Sequence, residues 1–103
     1  MKIAFKRSGG FAGMRLSLSL DTQALSEQDA HLLEDLVATT DFFDLPPVLP
    51  SPPGSVDRFQ YEIVVETFEQ RHAVDAGEGA LPDSLRPLVD QLTRMARSAQ
   101  RNG

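Results

Sequence analysis

The chain has 103 residues, no cysteine and a formal net charge of −5. A domain of that size buries roughly two thirds of its unfolded surface, so it holds a core without metal or disulfide. Disulfides and thiolate metal sites are excluded, and the acidic balance argues against nucleic acid as a partner.

No apolar run approaches the roughly 18 residues of a membrane span, so no membrane partner is expected. The opening "MKIAFKRSGG" has no apolar signal core, which points to a cytoplasmic location and leaves export by another route open. The charge is uneven. Residues 1–20 carry Lys2, Lys6, Arg7 and Arg15 and no acid, whereas residues 21–80 carry thirteen acids against Arg58 and Arg71. Two readings fit this basic start on an acidic body: steering toward an acidic partner surface, or simple solubility.

A first strand is predicted over about 2–7 and a second over about 14–21, where Met14, Leu16, Leu18 and Leu20 alternate with polar residues. A two-residue loop at 9–10 pairs Phe5 with Met14 and Ile3 with Leu16. A four-residue loop at 9–12 pairs Phe5 with Leu16 and Ile3 with Leu18, gives Leu20 a partner at Met1, and is preferred. Both keep the apolar residues on one face.

Ser26 followed by Asp29 is close to a capping box, and Ala30, Leu33, Leu36 and Val37 recur at helical spacing, predicting a helix near 26–39. Phe42 and Phe43 follow as core plugs. The stretch "LPPVLPSPPG" holds five of the seven prolines and is neither helix nor central strand. It reads as a stiff spacer, or as a second contact surface at Pro50, Ser51, Pro52 and Pro53.

A third strand is expected over about 57–67 and a fourth over about 70–76, with a turn at 67–70. That turn sets Glu66 opposite Arg71, Val65 opposite His72 and Ile63 opposite Val74, and the charged pair favours this register. Leu85, Leu88, Val89, Leu92, Met95 and Ala96 form an amphipathic stripe, so a turn over 82–86 and a helix over about 87–98 are predicted, with 98–103 as a frayed tail. The order β-β-α-β-β-α predicts one α+β domain over 1–103: a four-stranded antiparallel sheet of two hairpins, with two helices on one face.

No catalytic residue set emerges. His31 and His72 fall on different elements without a second ligand at metal spacing, and the carboxylates of 27–44 read as a solvated helix face. "GGFAG" lacks the Gly-Lys-Ser/Thr of a phosphate loop, and no cofactor or metal is called for. What remains is binding, at Ser8, Gly9, Gly10, Phe11, Ala12 and Gly13. The glycines permit positive φ and close backbone approach, and Phe11 between small residues suits a hot-spot anchor. The plain alternative is that the glycines make the turn and Phe11 folds back onto the sheet edge.

The pieces "SGGFAG" at 8–13, "FFDLP" at 42–46, "DRFQYEI" at 57–63 and "ALPDSLRPL" at 80–88 together resemble the emfourin family, small protein inhibitors of thermolysin-like (protealysin-type) zinc metalloproteases. They run in family order over nearly the whole chain; the proline-rich stretch and the tail depart from the pattern. The resemblance implies slow, tight and reversible inhibition of a thermolysin-like metalloprotease; with no catalytic set, the chain is expected not to be an enzyme, and to be a monomer when free. On that basis the tip at 8–13 is expected to enter the protease cleft. Phe11 would fill an apolar pocket, and the Ser8–Gly10 backbone would run along the wall. Contact with the target's zinc and steric blockage alone are both compatible. Phe11→Ala and Gly10→Val are both expected to weaken inhibition without lowering stability. A non-inhibitory adaptor that binds through the same tip is the alternative.

Overall fold

The computed structural model describes residues 1–10 and 15–102; residues 11–14 and Gly103 lie outside them. In chain order come β1 (Lys2–Gly9), β2 (Leu16–Asp21), α1 (Glu27–Thr39), β3 (Val48–Leu49), β4 (Phe59–Glu66), β5 (Arg71–Gly77) and α2 (Arg86–Asn102). Short 3-10 turns occupy Thr22–Ala24, Phe42–Asp44 and Glu78–Ala80.

The class is α+β as expected, but among the described residues the sheet has five strands in the order β2-β1-β4-β5-β3 and is mixed. The four-stranded antiparallel sheet is therefore corrected. Its extra strand comes from the proline-rich stretch, where Val48 and Leu49 lie parallel to β5 opposite Asp75 and Ala76. Val48 and Leu49 are the one adjacent pair in 46–53 free of proline. At a sheet edge the flanking prolines need no outward N–H. Pro47 takes part through the group it does have: its carbonyl accepts the amide of Asp75 at 2.8 Å.

The β4–β5 hairpin has the expected register, with Glu66 opposite Arg71, Val65 opposite His72 and Ile63 opposite Val74. The β1–β2 hairpin has neither expected register. Phe5 pairs with Leu18, Ile3 with Leu20 and Arg7 with Leu16, so Leu20 does not sit opposite Met1. The slip is even. It leaves every leucine on the same face, and the alternation of apolar residues is blind to it. The consequence is a wide connection, with residues 8–15 between the last β1–β2 partners.

The two hairpins join through β1 and β4, antiparallel from Lys2 opposite Glu66 to Gly9 opposite Phe59. Ile3, Phe5, Tyr61, Ile63, Val65, Val74 and Ala76 are buried on one face of the sheet. Leu33 and Val37 of α1 and Leu88, Val89, Leu92 and Ala96 of α2 pack onto it, with Leu16, Phe42, Leu81 and Leu85 in the same core. The opposite face carries exposed Lys2, Lys6, Glu62 and Glu66. There Lys2 stands opposite Glu66 and Lys6 opposite Glu62, a favourable cross-strand arrangement.

Local chemistry explains the helix boundaries. Ser26 caps α1 by accepting the Asp29 amide at 3.1 Å, and Glu27 and Asp29 lie in its first turn, where acids suit the helix dipole. Before α2, the amides of Leu85 and Arg86 both donate to the Pro82 carbonyl, at 3.0 and 3.3 Å. Pro87 falls in the first helical turn, where its missing N–H costs nothing. The helix continues to Asn102, beyond the expected end near 98. Phe42 is buried, with Phe43 edge-on to it at 5.9 Å. His72 also meets Phe42 edge-on, at 5.7 Å, and its Nε2–H donates to the Leu45 carbonyl at 2.6 Å. His72 thus ties the segment after α1 to the sheet.

Candidate functional site

Sheet topology brings both sequence-predicted binding segments to one end of the molecule. β1 ends there at Gly9, β4 begins at Phe59 and β5 ends at Gly77. Because β3 is parallel to β5, the chain leaving Leu49 delivers Pro50, Ser51, Pro52 and Pro53 to that same end. All four of those residues are exposed.

Ser8 and Gly9 belong to β1, longer than the strand ending at 7 that the sequence suggested, and face Gln60 and Phe59 of β4. Gly9 and Gly10 both have positive φ, +96° and +80°, in the region that favours glycine. The Gly10 amide donates to the Arg58 carbonyl at 2.7 Å. A Cβ on Gly9 would stand 2.7 Å from that same carbonyl oxygen, and one on Gly10 would stand 2.7 Å from the Phe59 ring. The close backbone approach expected of these glycines is therefore made to the chain's own Arg58, next to β4. The idea that Gly10→Val would leave stability untouched is corrected for that reason. Phe11, Ala12 and Gly13 lie outside the described residues.

Beyond the Arg7–Leu16 pair, β2 no longer accompanies β1, while β4 continues beside it to Gly9. Ser8 and Gly9 are thus held on the β4 side at the point where the chain leaves the sheet. The Arg7 guanidinium sits over the Phe59 ring, 4.2 Å from its centroid, a cation–π contact that holds both side chains.

The proline segment is fastened separately. Asp57 accepts the Ser51 hydroxyl at 2.6 Å, the Gly79 amide at 2.7 Å and the Ser55 hydroxyl at 3.2 Å. The Ser51 bond most, then the Gly79 amide, holds the Asp57 carboxyl below its ordinary value of 3.8. A Cβ on Gly77 would collide with the Asp57 carboxylate, so that glycine gives the carboxylate its space. Next along the chain, the Arg58 amide reaches Glu78 Oε1 at 3.4 Å. Asp57 and Arg58 are therefore the bridge: one fastens the proline segment, the other receives Gly10.

Sequence reasoning missed this bridge. The sequence reading made Asp57 and Arg58 the start of a strand. The available signal was Asp57 between Ser51 and Ser55 on one side and glycines at 77 and 79 on the other. Of the two histidines, His72 is the sheet residue it was taken for, and His31 is exposed on α1.

The described residues thus place a locked glycine strand end and a fastened proline segment at one end of a small α+β domain. The emfourin family profile matches residues 5–93, most of the chain, and the chain belongs to that family of protealysin-type metalloprotease inhibitors. No curated protein and no solved structure matches it. The family assigns a protease-inhibitor role in general terms.

Proposed function

We propose that the chain inhibits a thermolysin-like zinc metallopeptidase by placing the glycine-rich tip, Ser8 to Gly13, in the active-site cleft. Phe11 is the anchor in the cleft's apolar pocket. The Ser8–Gly10 backbone lies along the wall, and Pro50–Pro53 make a secondary contact beside it. The observation that carries the reading is the Gly10–Arg58 hydrogen bond with positive φ at Gly9 and Gly10, which fixes the direction in which the chain leaves the sheet. A fixed strand end loses less entropy on docking than a free loop. The same rigidity resists cleavage, because hydrolysis needs a scissile carbonyl within a fraction of an ångström of its attacking geometry.

The free protein acts as a monomer and uses no cofactor in this scheme; steric blockage of the cleft suffices. The direct test is hydrolysis of a chromogenic peptide by thermolysin, or by a protealysin-type enzyme, at rising concentrations of the protein. Inhibition competitive with substrate is expected. Binding to the protease without loss of turnover would instead favour an adaptor that uses the same tip.

A further inference from the structure

Two arginines that flank the first hairpin meet a third from the C-terminal helix beside the tip. Arg7 of β1, Arg15 just before β2 and Arg97 of α2 line a depression of about 290 Å³ with Gln100 and the Phe59 ring. It lies on the helix side of the sheet, and its wall includes Gly9 and Gly10, so it is continuous with the proposed binding tip. Among the described residues the ion pairs are the Met1 amino group with Asp21 and Arg86 with Asp83, and neither involves these arginines. Three cations thus gather in a chain of net charge −5 without a described internal counter-ion. By contrast, Lys2 and Lys6 of the same hairpin stand opposite Glu66 and Glu62.

We infer that this depression receives a carboxylate of the partner protein, an Asp or Glu side chain at the rim of the cleft that the tip enters. The inference rests on the inhibitory reading for the partner's identity. Guanidinium forks match a planar carboxylate bidentately, and three of them lining one depression favour an anion there. Gln100 adds an uncharged amide donor to the same wall. Arg7 is pre-positioned by its contact with Phe59, which reduces the ordering needed on binding. The acidic body argues against a polyanion such as nucleic acid, whose field would be repelled over most of the surface. A single carboxylate on a protein surface fits the local charge. The same arginines orient the encounter, leading with the tip pole.

Two measurements test this. In the first, acetate and, separately, acetamide are titrated into the full-length ¹⁵N-labelled protein while the arginine Nε–H signals are followed. Saturable shifts at Arg7, Arg15 and Arg97 are expected with acetate alone, with Arg71 and Arg86 nearly still. Equal movement of all arginines, or none, would overturn the subsite. In the second, Arg97→Glu is compared with the parent in protease inhibition. Association is expected to slow about tenfold at ~50 mM salt and to come within about twofold of the parent at ~0.5 M, where screening shortens the field. An unchanged association rate at low salt would overturn it. If neither protein inhibits but acetate still selects the three arginines, the inhibitory reading fails and the anion subsite stands. If inhibition is intact without either effect, the subsite alone fails.

Discussion

The Gly10 amide donates to the Arg58 carbonyl at 2.7 Å, so the described end of the tip is fastened to the residue between the start of β4 and the proline segment's anchor, Asp57. Gly10→Ala adds a Cβ at positive φ against the Phe59 ring. The left-handed conformation alone costs a non-glycine residue roughly 1–2 kcal/mol. Chemical denaturation is expected to show a loss of about that size, and inhibition to weaken at least about tenfold, since the direction of the tip changes with the same residue. A variant with unchanged stability and inhibition would mean that the Arg58 contact does not set the tip.

Asp57 gives a pH signature. Its folded carboxyl titrates below the ordinary 3.8, so its contribution is present above the unfolded pKa and is lost as pH falls through the folded one. Asp57→Asn removes the charge that Ser51, Ser55 and Gly79 share. The parent's stability advantage over this variant is expected at neutral pH and should shrink below about pH 4. Dissociation from the protease should be faster at neutral pH, with the proline segment released from its anchor. Stability curves of the two proteins that stay parallel down to pH 2.5 would contradict the assignment.

His72→Ala separates a structural histidine from a catalytic one. The substitution removes the bond to the Leu45 carbonyl and the edge contact with Phe42. Roughly 1–3 kcal/mol of stability is expected to go. Inhibition measured well below the melting temperature should be unchanged. Loss of function without loss of stability would place His72 in the site instead.

Phe68 is a control at the far pole. It follows Glu66 on the β4–β5 turn, beyond the end at which Lys2 pairs, and it is fully exposed at 106%. Strand geometry puts it some ~25 Å from the Gly9 end. Phe68→Ser is expected to change stability by less than ~0.5 kcal/mol, and inhibition not at all. A weakened inhibition constant would mean that the interface lies at the wrong end of the molecule.

The sequence carried the alternation and spacing signals well. The Ser26 cap, the Glu66–Arg71 register and the stripe on α2 each depend on residues close in sequence or on one paired turn, and those interactions are legible there. What was hidden depends on residues brought together from afar. The preferred β1–β2 register missed because a two-residue slip moves no leucine off its face. β3 was masked by prolines that, at an edge, do no harm. The Asp57–Arg58 bridge and the meeting of Arg97 with Arg7 and Arg15 exist only once β4 and α2 are placed beside β1. Glycine at 9 and 10 was read correctly as a need for unusual backbone, but the backbone that approaches is the chain's own Arg58.

In the proposed inhibition, the tip blocks the protease through Phe11. The most direct measurement compares the inhibition constants of the parent and Phe11→Ala on one thermolysin-like protease, with melting curves recorded in parallel. Loss of an anchor worth about 2–4 kcal/mol is expected to raise the constant roughly thirtyfold to a thousandfold with the melting temperature unchanged. Equal inhibition by the two proteins would contradict it.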